Sequence, residues 1–307
     1  MTVDVIIPVR NGERFIAECL DSVLRQTAEA KISRIIVIDD GSVDSTSQIV
    51  ENYIRVNSKV ELYSTAPNGL SAARNFGIKS ATAQNIAFLD SDDIWLEHKI
   101  DLHLAHLSQH PKCQFSFAPA YEFTKDPNLS RLQGRNTVLP SFSSILLQQF
   151  RIFGSGSSVF VNREAALSAG GFDETIKYGE DWDCWLALSL LQLPCELSKP
   201  SALIRIHSSS MQRSEKTGGE RFLNSYIHFQ EWTKYPWIVQ DDRFQAVAIQ
   251  VLWAEIRKNL SVGFFMSPDY CNFLFENYSD LVHNIGFRKN RFFILQVLFR
   301  RIKLGLS

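Results

Sequence analysis

The sequence has few cysteines, almost no net charge and no long apolar run. Its five cysteines are scattered, odd in number and lack a Cys-x-x-Cys pair, which favours reduced thiols and argues against a zinc site. A net charge of −1 gives no general attraction to nucleic acid. No apolar stretch reaches the roughly 20 residues of a membrane-spanning helix, and the start lacks the charged segment of a signal peptide. We therefore expect a cytoplasmic protein that neither binds nucleic acid nor crosses a membrane.

Apolar strands alternate with amphipathic helices over the first hundred residues. Val3–Val9 is a nearly continuous apolar run, the spacing of apolar residues predicts a helix over 13–26, and 35–38 is a second short strand. In such strand–helix–strand units the strands are parallel neighbours, and ligands bind outside their carboxyl ends. The pattern therefore predicts an α/β fold with a mainly parallel sheet flanked by helices.

Carboxylates follow two of the predicted strands at the point where each strand ends. They are Asp39, Asp40, Asp90, Asp92 and Asp93. Like charges this close are tolerated when they are solvated, share protons or hold a cation. Carboxylate oxygens suit Mg²⁺ or Mn²⁺, which completes its shell with water and substrate phosphates. The alternative is that each cluster only caps a helix, the second one a helix starting near position 95.

A third acidic pair, Glu180 and Asp181, precedes an aromatic-rich helix. The helix dipole favours an ionised carboxylate at that end, which suits a general base, and it suits a plain helix cap equally well. The spacing of three histidines could also indicate a metal site. They are His103, His106 and His110. We disfavour that site because no cysteine or acidic ligand completes a set, and neutral histidines on a solvated helix face are ordinary.

Four stretches match one known family in order and spacing. They are residues 5–11 (VIIPVRN), 37–42 (VIDDGS), 69–75 (GLSAARN) and 88–95 (FLDSDDIW). Together they resemble the family-2 nucleotide-sugar glycosyltransferases of the GT-A fold. The resemblance implies a Rossmann-like mixed sheet and a nucleoside diphosphate sugar as donor.

The resemblance also implies a donor-binding set. It consists of Pro8, Val9, Arg10, Asp39, Asp40, Arg74, Asp90, Ser91 and Asp92. In that set Asp39 and Asp40 would bind the nucleobase, and Asp90 and Asp92 would form the Asp-x-Asp pair that touches ribose and metal. Arg10 stands where the family often has an aromatic residue, so we expect a more polar wall beside the base.

The cofactor implied by the resemblance is Mn²⁺ or Mg²⁺. Its expected ligands are Asp92, Asp93 and His207, and Arg205 would face phosphate charge. Asp181 would be the catalytic base and Glu180 its neighbour on the acceptor side. The Gln-x-x-Arg-Trp motif of processive synthases is missing from the sequence.

We therefore predict an inverting, metal-dependent, non-processive glycosyltransferase. It would move a sugar, from a UDP-sugar, to an acceptor hydroxyl on a glycan or lipid-linked molecule, in surface glycan, polysaccharide or glycolipid synthesis. A nucleotidyltransferase is one alternative, although such enzymes usually carry a basic Gly-rich loop near the first strand. A catalytically silent nucleotide-sugar-binding module is the other.

The chain divides into three predicted regions. Residues 1–105 form a nucleotide-sugar-binding half, 106–210 an acceptor-binding half, and 211–307 a C-terminal helical region. Small residues at 154–158 indicate either the entry to a strand or a flexible turn. Residues 288–303 contain six cations and no acid around an apolar middle, so they could contact the inner face of a membrane, or pack as a helix with basic ends.

Overall fold

The computed structural model describes residues 1–141, 144–145, 150–176 and 179–207. The predicted C-terminal helical region, its basic segment and the boundary at residue 210 lie outside the described residues. The helices are Ile16–Leu24 (α1), Thr46–Val56 (α2), Leu70–Ser80 (α3), Lys99–Gln109 (α4), Ser155–Ser158 (α5), Arg163–Ser168 (α6) and Glu180–Leu191 (α7). The strands are Val3–Val9 (β1), Ile32–Asp39 (β2), Val60–Ser64 (β3), Asn85–Phe88 (β4), Ile94–Trp95 (β5), Phe115–Phe117 (β6), Ala120–Phe123 (β7), Arg131–Leu132 (β8), Val159–Asn162 (β9), Cys195–Glu196 (β10) and Ala202–Arg205 (β11).

Seven strands form the main sheet in the order β10-β6-β9-β4-β1-β2-β3. β1 is parallel to both neighbours, pairing Val9 with Asp39 of β2 and Ile6 with Phe88 of β4. β9 alone runs antiparallel, between β4 and β6. The prediction of a mixed, mainly parallel sheet flanked by helices is confirmed. Strands from both predicted halves share this one sheet, and the division of labour between the halves stays a prediction.

Both faces of the central strands are buried. Ile6 of β1 packs in one apolar cluster with Ile36 and Phe88, while Val5 and Ile7 pack in a second cluster. Successive side chains of a strand point to opposite faces, so a strand covered on both sides must be apolar at nearly every position. This explains why β1 and β2 are nearly continuous apolar runs.

A smaller sheet has the order β5-β11-β7-β8. It corrects the alternative of a helix starting near position 95, because Ile94–Trp95 is a strand paired antiparallel with β11, and α4 begins only at Lys99. The acidic cluster Asp90–Asp93 therefore lies between two strands and does not cap α4. Local propensity could not show this, since the pairing partner is more than one hundred residues away in the chain.

Two further expectations are corrected by the described residues. Residues 155–158 form the short helix α5 rather than a strand entry, and the strand begins at Val159. A disulfide joins Cys113 and Cys195, whereas Cys19 and Cys184 are free and buried, so the expectation of reduced thiols is wrong for the first pair. Helices within the described ranges are all too short or too polar to span a membrane.

Candidate active site

The carboxyl ends of β1, β2 and β4 meet at one edge of the main sheet. The Asp40 amide donates to the Val9 carbonyl at 2.9 Å, and the Leu89 amide donates to the Ile6 carbonyl at 3.0 Å. Pro8 and Val9 are buried at this edge and Arg10 is exposed. Because β2 and β4 both run parallel to β1, on either side of it, the two acidic clusters lie at the same end of the sheet, as the sequence predicts.

Asp39 and Asp40 hold the loops around this edge. Asp39 accepts hydrogen bonds from the Ser42 amide at 2.8 Å and from the Ser47 hydroxyl. Asp40 accepts from the amides of residues 68 and 69, at 2.7 and 2.9 Å. Both carboxylates are buried. They order the backbone around the predicted nucleotide pocket, and their contact with a nucleobase stays a prediction.

The loop that carries Arg10 is tied to the loop after β2. The Asn11 amide donates to the Ser42 hydroxyl at 2.8 Å, and the Val43 amide donates to the Asn11 side chain at 2.9 Å. One residue further, the Gly12 amide donates to the Thr46 hydroxyl at 2.8 Å. These bonds fix the position of the backbone next to Arg10.

Arg74, near the start of α3, lies at the centre of the site. Its guanidinium donates to Asp90 at 2.7 Å and to Glu180 at 2.9 Å, and it lies over the Phe172 ring at 5.0 Å. Only 1% of the residue is exposed. Burial opposes its charge, but the two carboxylates outweigh burial and raise the pKa of Arg74. Arg74 therefore links the acidic cluster after β4 to the acidic pair at the start of α7.

Asp92 faces His207. The His207 Nε2 lies 2.8 Å from Asp92 Oδ2, and the Asp92 side chain is 32% exposed. Burial, with the nearby Asp90 charge, raises the pKa of Asp92, and His207 partly offsets that rise. Ser91, between the two aspartates, is partly buried. The structure thus brings together two of the three predicted metal ligands.

Asp93, the third predicted ligand, points into the protein. Its two oxygens accept from the Ser157 hydroxyl at 2.6 Å and from the Arg205 amide at 2.8 Å. Burial first, and then the charges of Asp92 and Asp90, raise the pKa of Asp93 well above its ordinary value. With both oxygens bonded to protein donors, Asp93 is better placed to support the loop than to bind a metal.

Arg205 has protein partners on every side. Its guanidinium donates to the Asp92 carbonyl at 2.9 Å, pairs with Glu18, and lies over the rings of Phe15 and Phe123 at 4.7 and 4.5 Å. These contacts join α1, β7 and β11 beneath the acidic loop. Its predicted role toward phosphate stays a prediction.

Asp181 and Glu180 begin α7 in different surroundings. Asp181 is partly exposed and accepts from the Ser155 hydroxyl at 2.6 Å and from the Trp182 amide at 2.7 Å. Glu180 is buried against Arg74, and its pKa is raised by burial and by the Asp181 charge, although Arg74 opposes the rise. Asp181 is thus the member of the pair that solvent or an acceptor can reach.

Two serines of α5 complete the site, and neither was predicted. Besides its bond to Asp93, the Ser157 hydroxyl accepts from the Asp90 amide at 3.0 Å, and its carbonyl accepts from the Trp95 indole at 2.9 Å. Ser155 orients the Asp181 carboxylate. The run of small residues at 154–158 was the only signal in the sequence, and it did not show which acids these serines contact.

Comparison with known proteins identifies the family. The profile described as "Glycosyl transferase family 2" matches residues 4–168, more than half of the chain. The chain belongs to glycosyl transferase family 2. The matched residues include all of the donor-side acids and α5, and they end before α7.

Similar proteins share only part of their length with this chain. An uncharacterized glycosyltransferase of Rickettsia bellii is 28% identical over 229 residues, which are 73% of this chain and 32% of that protein. The Bacillus subtilis minor teichoic acid biosynthesis protein GgaA is 29% identical over 181 residues, 58% of this chain and 41% of GgaA. The chain thus spans well under half of either relative.

Solved structures confirm the fold of this family 2 chain. S. aureus TarS 1–349 in complex with UDP has a TM-score of 0.62 at 20% identity, over 85% of this chain and 72% of that one. The complex of the same protein with UDP-GlcNAc has a TM-score of 0.63 at 19% identity, over 85% and 73%. The GT-A architecture predicted from the sequence is therefore confirmed.

The residues that face one another at Asp92 fit a divalent metal. Carboxylate oxygens with one imidazole suit Mn²⁺ or Mg²⁺ better than a soft ion. The pKa of Asp92 is raised because burial and Asp90 disfavour its charge, and a bound dication would favour the ionised form instead. Asp92 and His207 would hold the ion, with Asp90 beside them.

Proposed function

We propose that this chain is an inverting, metal-dependent, non-processive glycosyltransferase that takes its sugar from a nucleoside diphosphate donor. The observation that carries the proposal is the buried ion-pair chain Asp90–Arg74–Glu180. It joins the donor-side acids to the start of α7, where Asp181 is exposed enough to meet an acceptor. Donor and acceptor would thus meet across Arg74.

A UDP-sugar is the donor that the comparisons favour. Solved structures of TarS contain UDP and UDP-GlcNAc, and their fold matches this chain. The nucleotide would lie at the carboxyl edge of β1, β2 and β4, against Val9, Arg10 and Asp40. Mn²⁺ or Mg²⁺ held by Asp92 and His207 would supply positive charge to the leaving diphosphate.

Asp181 would act as the general base. Its carboxylate takes the proton of the acceptor hydroxyl while that oxygen attacks the anomeric carbon of the sugar. The bond from that carbon to the diphosphate oxygen breaks in the same step, so a single displacement inverts the anomeric centre. The Ser155 hydroxyl, 2.6 Å from Asp181, holds the carboxylate in position without removing its charge.

The proposed acceptor is a glycan or a lipid-linked molecule in surface glycan synthesis. GgaA, a relative, is named for minor teichoic acid biosynthesis, which supports this class of product. We place the protein in the cytoplasm, with residues 106–210 facing the acceptor and the basic segment 288–303 contacting the inner face of the membrane. Flotation with anionic liposomes of the full chain, compared with a chain cut after residue 287, tests the contact, and equal flotation would remove it.

A donor screen tests the reaction class. The purified chain is incubated with UDP-, GDP- and dTDP-sugars in Mn²⁺, Mg²⁺ or EDTA, with and without candidate acceptors, and release of nucleoside diphosphate is followed. We expect release from one UDP-sugar that EDTA and Asp92→Asn abolish and that Glu51→Gln, at an exposed position of α2, leaves intact. Release that is insensitive to EDTA and to Asp92→Asn would contradict the proposal.

A further inference from the structure

Three side chains of types that can bind metals meet at the other end of the main sheet. They are His106 in the last turn of α4, Cys113 just before β6 and Cys195 at the start of β10. One ligand atom from each lies within 4.8 Å of the others. β6 runs in the same direction as β4, because both pair antiparallel with β9. Residues that precede β6 and open β10 therefore lie opposite the carboxyl edge that forms the candidate active site.

Backbone and side-chain hydrogen bonds hold these three residues in place independently of any bond between the sulfurs. The Cys113 amide donates to the His110 carbonyl at 2.8 Å, and the His110 amide donates to the His106 carbonyl at 2.8 Å. Next to Cys113, the Gln114 amide donates to the Gln192 side chain at 2.9 Å. Cys195 is fixed by the parallel pairing of β10 with β6. The cluster is therefore preorganised by the fold.

The disulfide does not account for the position of the His106 imidazole beside it. Its Nε2 is buried and has no hydrogen-bond partner among the described residues. A buried nitrogen without a partner is costly, and a disulfide sulfur is a poor partner for it. An imidazole nitrogen is also one of the commonest metal ligands in proteins.

We propose that, when the disulfide is reduced, His106 Nε2 and the sulfurs of Cys113 and Cys195 bind Zn²⁺. Two thiolates and one imidazole are a soft ligand set that selects Zn²⁺ over Mg²⁺ or Mn²⁺. Zinc–sulfur bonds of about 2.3 Å in a tetrahedron place two sulfurs about 3.8 Å apart, which is compatible with the span of this cluster. Water or His110, whose ring centroid lies 4.5 Å from that of His106, takes the fourth position.

The disulfide-bonded and zinc-bound states interconvert by thiol–disulfide exchange followed by metal binding. Two molecules of a monothiol cleave the Cys113–Cys195 bond, the protein sulfurs gain two electrons and two protons, and the monothiols become a disulfide. Zn²⁺ then displaces the two thiol protons and forms a site whose charges cancel. Either state ties the end of α4 to the edge strands β6 and β10, so the fold keeps its anchor in reducing and oxidising surroundings.

The spacing of residues in the sequence argued against this site. Neither cysteine has a partner at Cys-x-x-Cys distance, and the one cysteine that closely follows the helix histidines, Cys113, supplies only a single thiol. The missing ligand comes from Cys195, 82 residues from Cys113, and the pairing of β10 with β6 brings it into place.

Cobalt spectroscopy on the full chain tests the proposal. The protein is reduced with a phosphine, desalted without oxygen and titrated with Co²⁺, followed by Zn²⁺. We expect one Co²⁺ per chain that gives a sulfur-to-cobalt charge-transfer band, and we expect Zn²⁺ to abolish that band. The carboxylate site at Asp92 has no sulfur and cannot give such a band. Release of bound Zn²⁺ on oxidation, measured with a chromogenic chelator, should accompany the loss of two thiols.

Variants assign the ligands. His106→Asn should weaken Co²⁺ binding at least about tenfold, and Cys113→Ser or Cys195→Ser should remove most of the charge-transfer band. His98→Asn, an exposed histidine bonded to the Pro200 carbonyl, and Cys184→Ala, a buried free thiol, should bind as the wild type does. Far-UV circular dichroism checks that each variant folds. If the serine variants do not fold, the wild-type spectrum and the His106→Asn variant still test whether the site binds the metal.

Two results would overturn the proposal. The first is a reduced, folded wild-type chain that gives no sulfur-to-cobalt band. The second is a His106→Asn chain that binds Co²⁺ as tightly as the wild type, because it would leave the buried imidazole without a role in the site.

Discussion

Asp181 and Glu180 are neighbours in the chain, yet only one of them can serve as a base. Glu180 is buried in an ion pair with Arg74, which donates to its Oε1 at 2.9 Å. Asp181 is partly exposed and is held by the Ser155 hydroxyl. A general base must reach the proton that it removes, and of these two carboxylates only Asp181 is exposed enough for the proposed role.

Replacing Asp181 by Asn should leave donor binding within about threefold and reduce the rate of sugar transfer by about 10²–10⁴-fold. The amide oxygen can still accept from Ser155, but it cannot take the acceptor proton. Steady-state kinetics on the donor found in the screen measures the effect, beside Glu51→Gln as the control acid. An Asp181→Asn enzyme that keeps more than a tenth of the wild-type rate would show that another group is the base.

Arg74 is the residue on which the arrangement of the site depends. Arg74→Met leaves Asp90 and Glu180 close together without a counter-charge, so we expect a loss of about 3–5 kcal/mol in the free energy of unfolding. Arg74→Lys should lose less, because it keeps the charge but not the two-armed geometry. Urea denaturation measures both.

The control for Arg74 is Arg25, which makes an exposed ion pair with Asp21 at 3.9 Å. Arg25→Met should change the free energy of unfolding by less than about 0.5 kcal/mol. Equal losses for Arg74→Met and Arg25→Met would contradict the role of the buried bridge.

Asp93 makes stability depend on pH in an unusual direction. Its pKa in the folded chain is raised well above 3.8, so the folded state holds its proton longer than the unfolded state does. Below about pH 3.8 both states are protonated, and as pH rises above that value the folded state loses stability relative to the unfolded one, until the folded pKa is passed.

Asp93→Asn removes this titration. In EDTA, the free energy of unfolding of the variant minus that of the wild type should therefore increase between about pH 4 and pH 7. The lost bond from Ser157 adds an offset that does not vary with pH. Denaturation curves across that range measure the difference, and parallel pH profiles for the two proteins would contradict the burial of an ionisable Asp93.

The short helix α5 positions both acidic groups. Its N-cap is Gly154, whose φ of 80° is in the left-handed region, and the helix presents Ser155 to Asp181 and Ser157 to Asp93. A Cβ atom at Gly154 would lie 2.7 Å from the Ala120 Cβ, which is too close for either to stay in place. Glycine is thus required there by both conformation and space.

Gly154→Ala should lower the free energy of unfolding by about 2–4 kcal/mol and also lower the transfer rate, since α5 must shift away from Asp181. Gly170 is the matched control, because its φ is 91° but no atom lies within 4 Å of an added Cβ. Gly170→Ala should cost about 1 kcal/mol and leave the rate unchanged. Identical effects of the two substitutions on the rate would argue against a positioning role for α5.

The elements with a strong local pattern were predictable. Val3–Val9 was predicted within its observed bounds, and the acids after β2 and β4 were expected at one edge because parallel strands end on the same side. Periodicity and strand direction are properties of the local sequence. They were enough to place the donor-side acids together.

Features set by distant parts of the chain were not predictable. β5 forms because β11 pairs with it, and Asp93 turns inward because Ser157 and the Arg205 backbone offer it donors. Arg74 meets Glu180 across 106 residues of chain. Nothing in the neighbouring residues of any of these positions records those partners, so sequence reasoning found the acids but not their division into exposed and buried members.

At the scale of the whole molecule, the two ends of the main sheet have different chemistry. The carboxyl edge gathers oxygen ligands and Arg74 around the proposed nucleotide site. The opposite end gathers two sulfurs and an imidazole. Hard and soft ligands are thus kept apart by the length of the strands, and a metal suited to one site is unsuited to the other.

Calorimetric titration of the full chain with UDP tests the central claim, that the carboxyl edge binds a nucleoside diphosphate together with a metal at Asp92. In Mn²⁺ we expect one UDP per chain, and we expect EDTA or Asp92→Asn to weaken binding at least about tenfold, with binding by Glu51→Gln unchanged. UDP binding that is equally tight in EDTA and in Asp92→Asn, or no UDP binding by the folded wild-type chain in Mn²⁺, would contradict the account.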